Sequence, residues 1–379
     1  MIYLDNAATT RMTNNAIRQM YKIMNEDYGN PSSIYEYGIA SRGRIENARN
    51  VIASTLQVLP EEIYFTSGGT EANNWAIVGT AFSKRDKGSH IITSRVEHKS
   101  VIKTCEFLER LGYEISYIDV NEAGVIDVGQ LEKAIRPDTI LISVMCINNE
   151  VGSVMPLKEI GELAASRNVL FHTDAVQAYG HIPIECHEWH IDMLSVSAHK
   201  FHGPKGVGFL YIRNGTNIYP LINGGNQERG MRSGTENVAG IVGMAEAARE
   251  MYENMDEEMM KIKELKNLLY RELHNRVEGI HAHGDYIEGA SNILSVVVDG
   301  VDAVCLVDSL GQNEVCVSAG SACNSREIQS SHVLKAMGVG EMAARSTIRL
   351  SLSKYNNREE ILKVAEIFEE TVNHLREIY

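Results

Sequence analysis

Apolar β-type runs alternate with helical patterns along the first two thirds of this chain, and that alternation limits the fold more than any other feature. EEIYFT reads as a strand and EANNWAIVGTAF as a helix. SHIITS and KSVIKTCEFLERLG repeat the pair, followed by TILISVMCI, PLKEIGELAASRN and VLFHTDAV. IDMLSVSA and VGFLYI continue the series. Strands rich in Ile and Val, separated by helices, build a mostly parallel sheet covered on both faces.

The texture changes from about Gly243. MAEAAREMYENMDEEMMKIKELKNLLYRELHNRV reads as one long or two abutting amphipathic helices. Beyond it, SNILSVVVDG and TIRLSLS are strands, AVCLVDSLGQN is helix-like, and REEILKVAEIFEETVNHLREI closes the chain as a helix. This block is α+β and forms a second, smaller domain. A chain of 379 residues is too long for one simple core, which agrees with that division.

A formal net charge of -14 argues against nucleic acid or an anionic membrane as the main partner. None of the six cysteines forms a CxxC pair, so a zinc ribbon is not expected. The start MIYLDNAATT is no signal segment, and no apolar run approaches the ~20 residues that span a bilayer. The expectation is a cytoplasmic protein with reduced thiols and no metal.

SVSAHKFHGPKG places Lys200 in a loop just past a strand. Lysine there is usually a solvated charge. Here Ser197 and His199 offer phosphate donors beside the amine, and Gly203, Pro204 and Gly206 shape a tight loop. A lysine amine condenses with aldehydes, and pyridoxal phosphate (PLP) is the aldehyde cofactor held that way. Its phosphate wants a helix N-terminus, which the Gly68-Gly69-Thr70 turn of FTSGGTEANN supplies. Its pyridine nitrogen wants a carboxylate, and Asp174 stands at a strand end in FHTDAVQA, with Gln177 placed for the ring hydroxyl. His98, after another strand, is placed to stack on the ring. Taken singly, Asp174 reads as a helix cap and His98 as a structural histidine. Their shared position at strand ends is where open α/β sheets bind ligands.

The motifs LDNAATT, GNPSS, TSGGTEANN, EHKSV, NNEVG, HTDAVQ, SAHKFHGPKG, RGMRSGTEN, SAGSAC and TIRLSLS occur in the order seen in cysteine desulfurases of the NifS/IscS type. The chain resembles that family over nearly its whole length. The resemblance implies a fold-type I PLP-dependent transferase of the aminotransferase class V group. Its large domain, residues 13–257, would hold a mostly parallel seven-stranded sheet. Residues 1–12 and 258–379 would form the small α+β domain that carries the catalytic cysteine. It further implies a homodimer that converts L-cysteine to L-alanine and leaves sulfur on the enzyme as a persulfide. The acceptor would be another protein, an iron–sulfur scaffold or a tRNA-thiolation enzyme.

Carried over by motif, Lys200 is the Schiff-base lysine, Asp174 the pyridine partner, Gln177 the contact to the ring oxygen, and His98 the stacking and proton-moving histidine. Gly69, Thr70, Ser197 and His199 match the phosphate ligands, with Thr235 reaching in from the neighbouring subunit. Asn149 and Arg349 match the groups that hold the substrate carboxylate. Cys323 matches the persulfide-forming cysteine. Its neighbours Ser321, Ala322, Asn324 and Ser325 are small and polar, as expected for a thiol that must travel. Cys105, Cys146 and Cys305 lie in apolar patterns and are expected in the core, Cys316 reads as part of a strand, and Cys186 is unassigned. The long tract from Cys323 to Gly338 resembles relatives with an extended cysteine loop. Two departures are Ala319, where relatives often have Ser, and Asn226, where they often have Gly. Rival readings are a selenocysteine lyase, another class V PLP enzyme, or a non-catalytic scaffold. Aminotransferases need no cysteine of this kind, and a scaffold need not retain Lys200 and Asp174.

Overall fold

The computed structural model describes residues 1–320 and 331–378. The strands in chain order are β1 (Ile2–Tyr3), β2 (Ile63–Thr66), β3 (His90–Ser94), β4 (Glu114–Ile118), β5 (Thr139–Ser143), β6 (Leu170–Asp174), β7 (Met193–Ser197), β8 (Gly208–Ile212), β9 (Ile280–Ala282), β10 (Ile293–Val298), β11 (Val315–Cys316), β12 (Ser318–Ala319) and β13 (Thr347–Ser351). Seven of them form the central sheet in the order β2-β8-β7-β6-β5-β3-β4. Only β8 in this sheet runs against its neighbours, and the rest are parallel.

Strands β3, β5, β7 and β8 are buried at every residue, because helices cover both faces. On one face Ile91, Leu141, Met193 and Leu210 pack with Trp75, Ile77 and Val101. On the other, Ile92, Ile142, Phe171, Leu194 and Phe209 pack with Ile160, Ala164, Met244 and Ala248. The period of two along a strand sends neighbouring residues to opposite layers. Helix Gly69–Ser83 has Ala72, Trp75, Ala76 and Ile77 fully buried on several sides, so it has no solvent face strong enough to look amphipathic.

Four strands, in the order β12-β13-β10-β9, make an antiparallel second sheet. Helices Met255–Arg276 and Ala303–Gln312 pack on it, and Arg358–Ile378 packs on both of those helices. The helical tract that begins near Gly243 resolves into two helices, Val238–Glu253 and Met255–Arg276, that meet at Asn254. The N-terminus joins this region: β1 pairs in parallel with β11, and the Ser351 amide donates to the Leu4 carbonyl at 2.7 Å. Among the described residues no helix is long and apolar enough to cross a membrane.

Two expectations need correction. Cys305 is half-buried rather than in the core, because it sits on a helix side facing a shallow apolar cavity with Val301 and Leu375. Cys146 is buried, but beyond the end of β5, since regular pairing in TILISVMCI stops at Ser143 and the chain bends towards the site. Cys105 is buried within helix Lys99–Arg110, Cys316 lies in β11, and the unassigned Cys186 is buried.

Candidate active site

The carboxyl ends of the parallel strands meet at one cavity of about 430 Å³. β4 and β5 lie on opposite sides of β3, so the chain reverses its direction of travel across the sheet there. Such a reversal opens a crevice at the strand ends. His98 follows β3, Asn149 follows β5, Asp174 ends β6, Ser197 ends β7, and His199 and Lys200 follow it. Gly69, Thr70, Gln177 and Arg349 complete the set of expected residues that line the cavity.

Asp174 is buried and already orients itself. Its Oδ1 accepts the Val176 amide at 2.9 Å, and its Oδ2 accepts the Asn73 side-chain amide at 2.6 Å. A carboxylate has about four acceptor positions, so capacity is left for another donor in the cavity. Asn73 also donates to Ser100 Oγ at 2.9 Å, and Ser100 Oγ lies 2.8 Å from His98 Nδ1. His98 caps helix Lys99–Arg110, with the Ser100 backbone N–H donating to its Nδ1 at 3.1 Å. An N–H can only donate, so the neutral imidazole carries its proton on Nε2. Burial holds His98 below the ordinary imidazole value, opposed by Asp174 and reinforced by Lys200. The helix N-terminus acts in the same direction.

Lys200 lies on a short 3-10 turn, Ala198–Lys200. Its Nζ donates to the Ala7 and Ala8 carbonyls at 2.6 and 2.9 Å. Gln177 Nε2 donates to the same Ala7 carbonyl at 2.9 Å. The N-terminal strap from Asp5 to Thr10 therefore forms one wall of the cavity. The strap is held from below: Thr10 accepts and donates against the His199 loop, and the Ala7 amide donates to Ser351 Oγ at 2.8 Å.

Where the phosphate is expected from the sequence, the N-terminal end of helix Gly69–Ser83 faces Ser197 and His199. Gly68 has φ +146, a conformation that side chains rarely adopt. A Cβ on Gly69 would stand 2.6 Å from Val176 Cγ2, inside the cradle. His199 is drawn down to about 4 by burial and by Lys200 and Lys205, so it is neutral near pH 7.

On the opposite side, Arg349 rises from β13. Its Nη1 donates to the Asn149 carbonyl at 2.7 Å, and its Nη2 pairs with Asp5 Oδ1 at 2.9 Å. Arg349 Nε is buried and has no partner among the described residues. A buried guanidinium edge with an unused donor suits a carboxylate.

Thr235 is exposed and stands apart from this cavity within its own chain. Cys323 lies outside the described residues. Gly320, three positions before it, lines the cavity. Sequence reasoning missed Asn73, Ser100, Asp5, Glu97 and Glu150. Asn73 had a usable signal: it lies one helical turn beyond Gly69 and so shares its face.

A model of the family described as aminotransferase class-V matches residues 2–364. The chain belongs to that family. A protein named cysteine desulfurase IscS from Dictyoglomus turgidum is 44% identical, covering 100% of this chain and 96% of its own length. A second, from Methanosarcina thermophila, is 45% identical over 99% of this chain and 93% of its own. A solved structure named as a NifS-like protein superposes with a TM-score of 0.93 at 39% identity, covering 99% of this chain and 100% of that one. The NifS-like protein from Rickettsia africae gives 0.88 at 32% identity over 98% and 99% of the two chains. The fold is that of the fold-type I PLP enzymes. The residues fit that cofactor: Asp174 has acceptor capacity to spare, Gly69 leaves the cradle open, and Lys200 supplies the amine.

Proposed function

We propose that this chain is a PLP-dependent cysteine desulfurase, in which L-cysteine becomes L-alanine and the sulfur passes to Cys323. One observation carries the reading: an amine, a buried carboxylate, a neutral imidazole and an arginine surround a single cavity in a chain that matches cysteine desulfurases end to end.

Lys200 would hold the cofactor's aldehyde, Asp174 its pyridine nitrogen, and Gly69, Thr70, Ser197 and His199 its phosphate. When bound, PLP withdraws electrons from the substrate's α-carbon and so weakens the bonds around it. Arg349 and Asn149 orient the substrate carboxylate, with the Arg349 Nε as the open donor. Lys200, placed by the Ala7 and Ala8 carbonyls, takes the Cα proton at Nζ. His98 presents Nε2 to the cavity and moves the proton of the substrate thiol or of Cys323. The Cys323 thiolate then attacks the substrate sulfur. An S–S bond forms and the Cβ–S bond breaks, its electron pair staying on carbon, which takes a proton. L-cysteine plus enzyme thiol thus gives L-alanine plus enzyme persulfide, and no outside oxidant is required.

The sulfur goes on to an acceptor protein, either an iron–sulfur scaffold or a tRNA-thiolation enzyme. A homodimer is supported by Ile17, Tyr21, Tyr28, Ile34, Tyr35 and Tyr37, which are exposed within one short stretch made of helix Asn14–Glu26, the start of helix Glu36–Leu56 and the loop between them. The position of Thr235 outside its own cavity supports its reaching a second copy's site.

Two variants test the reading. Lys200→Ala should lose the visible absorbance of the PLP-loaded protein. Cys323→Ser should still change its spectrum on cysteine addition yet release almost no sulfide with a reductant. Full alanine and sulfide production by Cys323→Ser would refute the assignment.

A further inference from the structure

Glu150 lines the cavity without a part in the steps above, and Glu97, Lys99 and His332 lie close by in sequence or contact. Glu150 is built in with unusual care. Asn148 Oδ1 accepts the Glu150 and Val151 amides at 2.9 and 3.0 Å, while its Nδ2 donates to the Val96 carbonyl at 2.9 Å. This side-chain-locked turn presents Asn149 and Glu150 to the cavity together. Arg349 braces it through the Asn149 carbonyl.

Glu150 Oε2 accepts the hydroxyl of Ser331. Ser331 Oγ also accepts the Leu334 amide at 3.2 Å, capping helix His332–Ala336. Its single proton is therefore free for Glu150. The next residue, His332, lies 2.9 Å through Nε2 from the Glu97 carbonyl, which only accepts. On the upstream side, the Gly320 amide donates to the Thr347 carbonyl at 2.9 Å, and Ser318 Oγ donates to Asp5 Oδ1 at 2.7 Å. Both ends of the stretch that contains Cys323 are thus tied to walls of the same cavity. Burial pushes the Glu150 carboxyl up, while the Ser331 bond and the charges of His332, Arg349 and Lys99 pull it back.

We propose that Glu150 is a positioning residue for sulfur transfer: through Ser331 it fixes the downstream end of the Cys323-bearing stretch against the turn that presents Asn149. The role rests on the desulfurase reading. It gives Glu150 no contact with the reacting atoms. It sets how often the thiol arrives, not how well cysteine binds.

The test uses full-length, PLP-loaded protein in a single turnover with L-cysteine. Persulfide on Cys323 is trapped by alkylation and measured by peptide mass, and cysteine binding is followed by the absorbance change. Glu150→Ala and Ser331→Ala should each slow persulfide formation about tenfold, the rate equivalent of one hydrogen bond to a charged group. The half-saturating cysteine concentration should stay within about twofold of the parent's, as expected when ground-state binding is untouched. Glu150→Gln keeps an acceptor oxygen and Ser331→Thr keeps the hydroxyl, so both should remain within about threefold. The Ser331→Ala/Glu150→Ala double variant should be no slower than either single one. Ser331→Ala also removes a helix cap, but Glu150→Ala does not, so agreement between them assigns the loss to the pair. Parental rates in Glu150→Ala, or additive losses in the double variant, overturn the role of Glu150 alone. A parent protein that forms no persulfide overturns the functional reading and this role together.

Discussion

Gly69→Ala offers a direct measure of the phosphate cradle. The new methyl would stand 2.6 Å from Val176 Cγ2 and 3.6 Å from Ser197 Cβ. Carbon atoms rest comfortably at about 3.5–4.0 Å, so the first contact is short by about 1 Å. Ser197 limits retreat on one side, and rotating Val176 would turn a methyl into the cavity it lines. Forced packing of this kind costs about 1–3 kcal/mol. If that cost falls on the loaded form, PLP affinity drops by roughly 5- to 150-fold. The assay is titration of the apoprotein with PLP, read by visible absorbance, with thermal midpoints of the apo forms as control. Val176→Ala removes the opposing methyls, so Gly69→Ala should cost about 1 kcal/mol less in that background, a coupling a double-mutant cycle resolves. Unchanged affinity in Gly69→Ala, or an equal loss with and without the Val176 methyls, would show that this contact does not shape the cradle.

Three further outcomes follow from the site. Burial raises the Glu97 carboxyl to about 8, so its contribution to stability is full below the ordinary carboxylate value and drains away as pH rises towards 8. Glu97→Gln should therefore match the parent near pH 5 in urea unfolding and exceed it by about 1 kcal/mol or more near pH 9; an equal gap at both pH values would contradict this. Arg349→Lys should raise the KM for cysteine by about tenfold while PLP affinity holds, because a lysine cannot reproduce the planar two-point clasp; an unchanged KM would remove Arg349 from substrate binding. Since His98 is held below its ordinary value, the acid limb of kcat against pH should lie below about 6.5, and His98→Gln should abolish that limb.

The strands at the centre of the sheet are legible because burial on both faces leaves unbroken apolar runs. Strand β4 escapes that reading. It lies at the sheet's edge, with Glu114 exposed and Ile115, Ser116 and Tyr117 half-buried, so no run forms. Helix Glu36–Leu56 is equally quiet, because its buried positions include Gly38, Ser41, Ala48 and Arg49. Arg49 is buried against Glu228, 179 positions away, which meets it at 2.8 Å, with the Ile63 carbonyl and Glu46 as further acceptors. Lys200, Asp174 and His98 could be read from the sequence, since each stands where a strand stops. Asn73 could be placed on the Gly69 face of its helix, but its role, like that of Ser100, depends on contacts formed only after folding; the Asn73–Asp174 bond spans 101 positions.

The strap from Asp5 to Ala8 has a consequence for synthesis of the protein. Asp5 closes on Arg349, and Ala7 on Ser351, so the strap waits for a strand made 344 positions later. Contacts of such long separation are slow to form. Completion of this wall is thereby deferred until β13 has been made: a nascent chain cut short before it can build its central sheet and holds the strap's partners Gln177, His199 and Lys200, but lacks the clasp of Arg349 and Ser351.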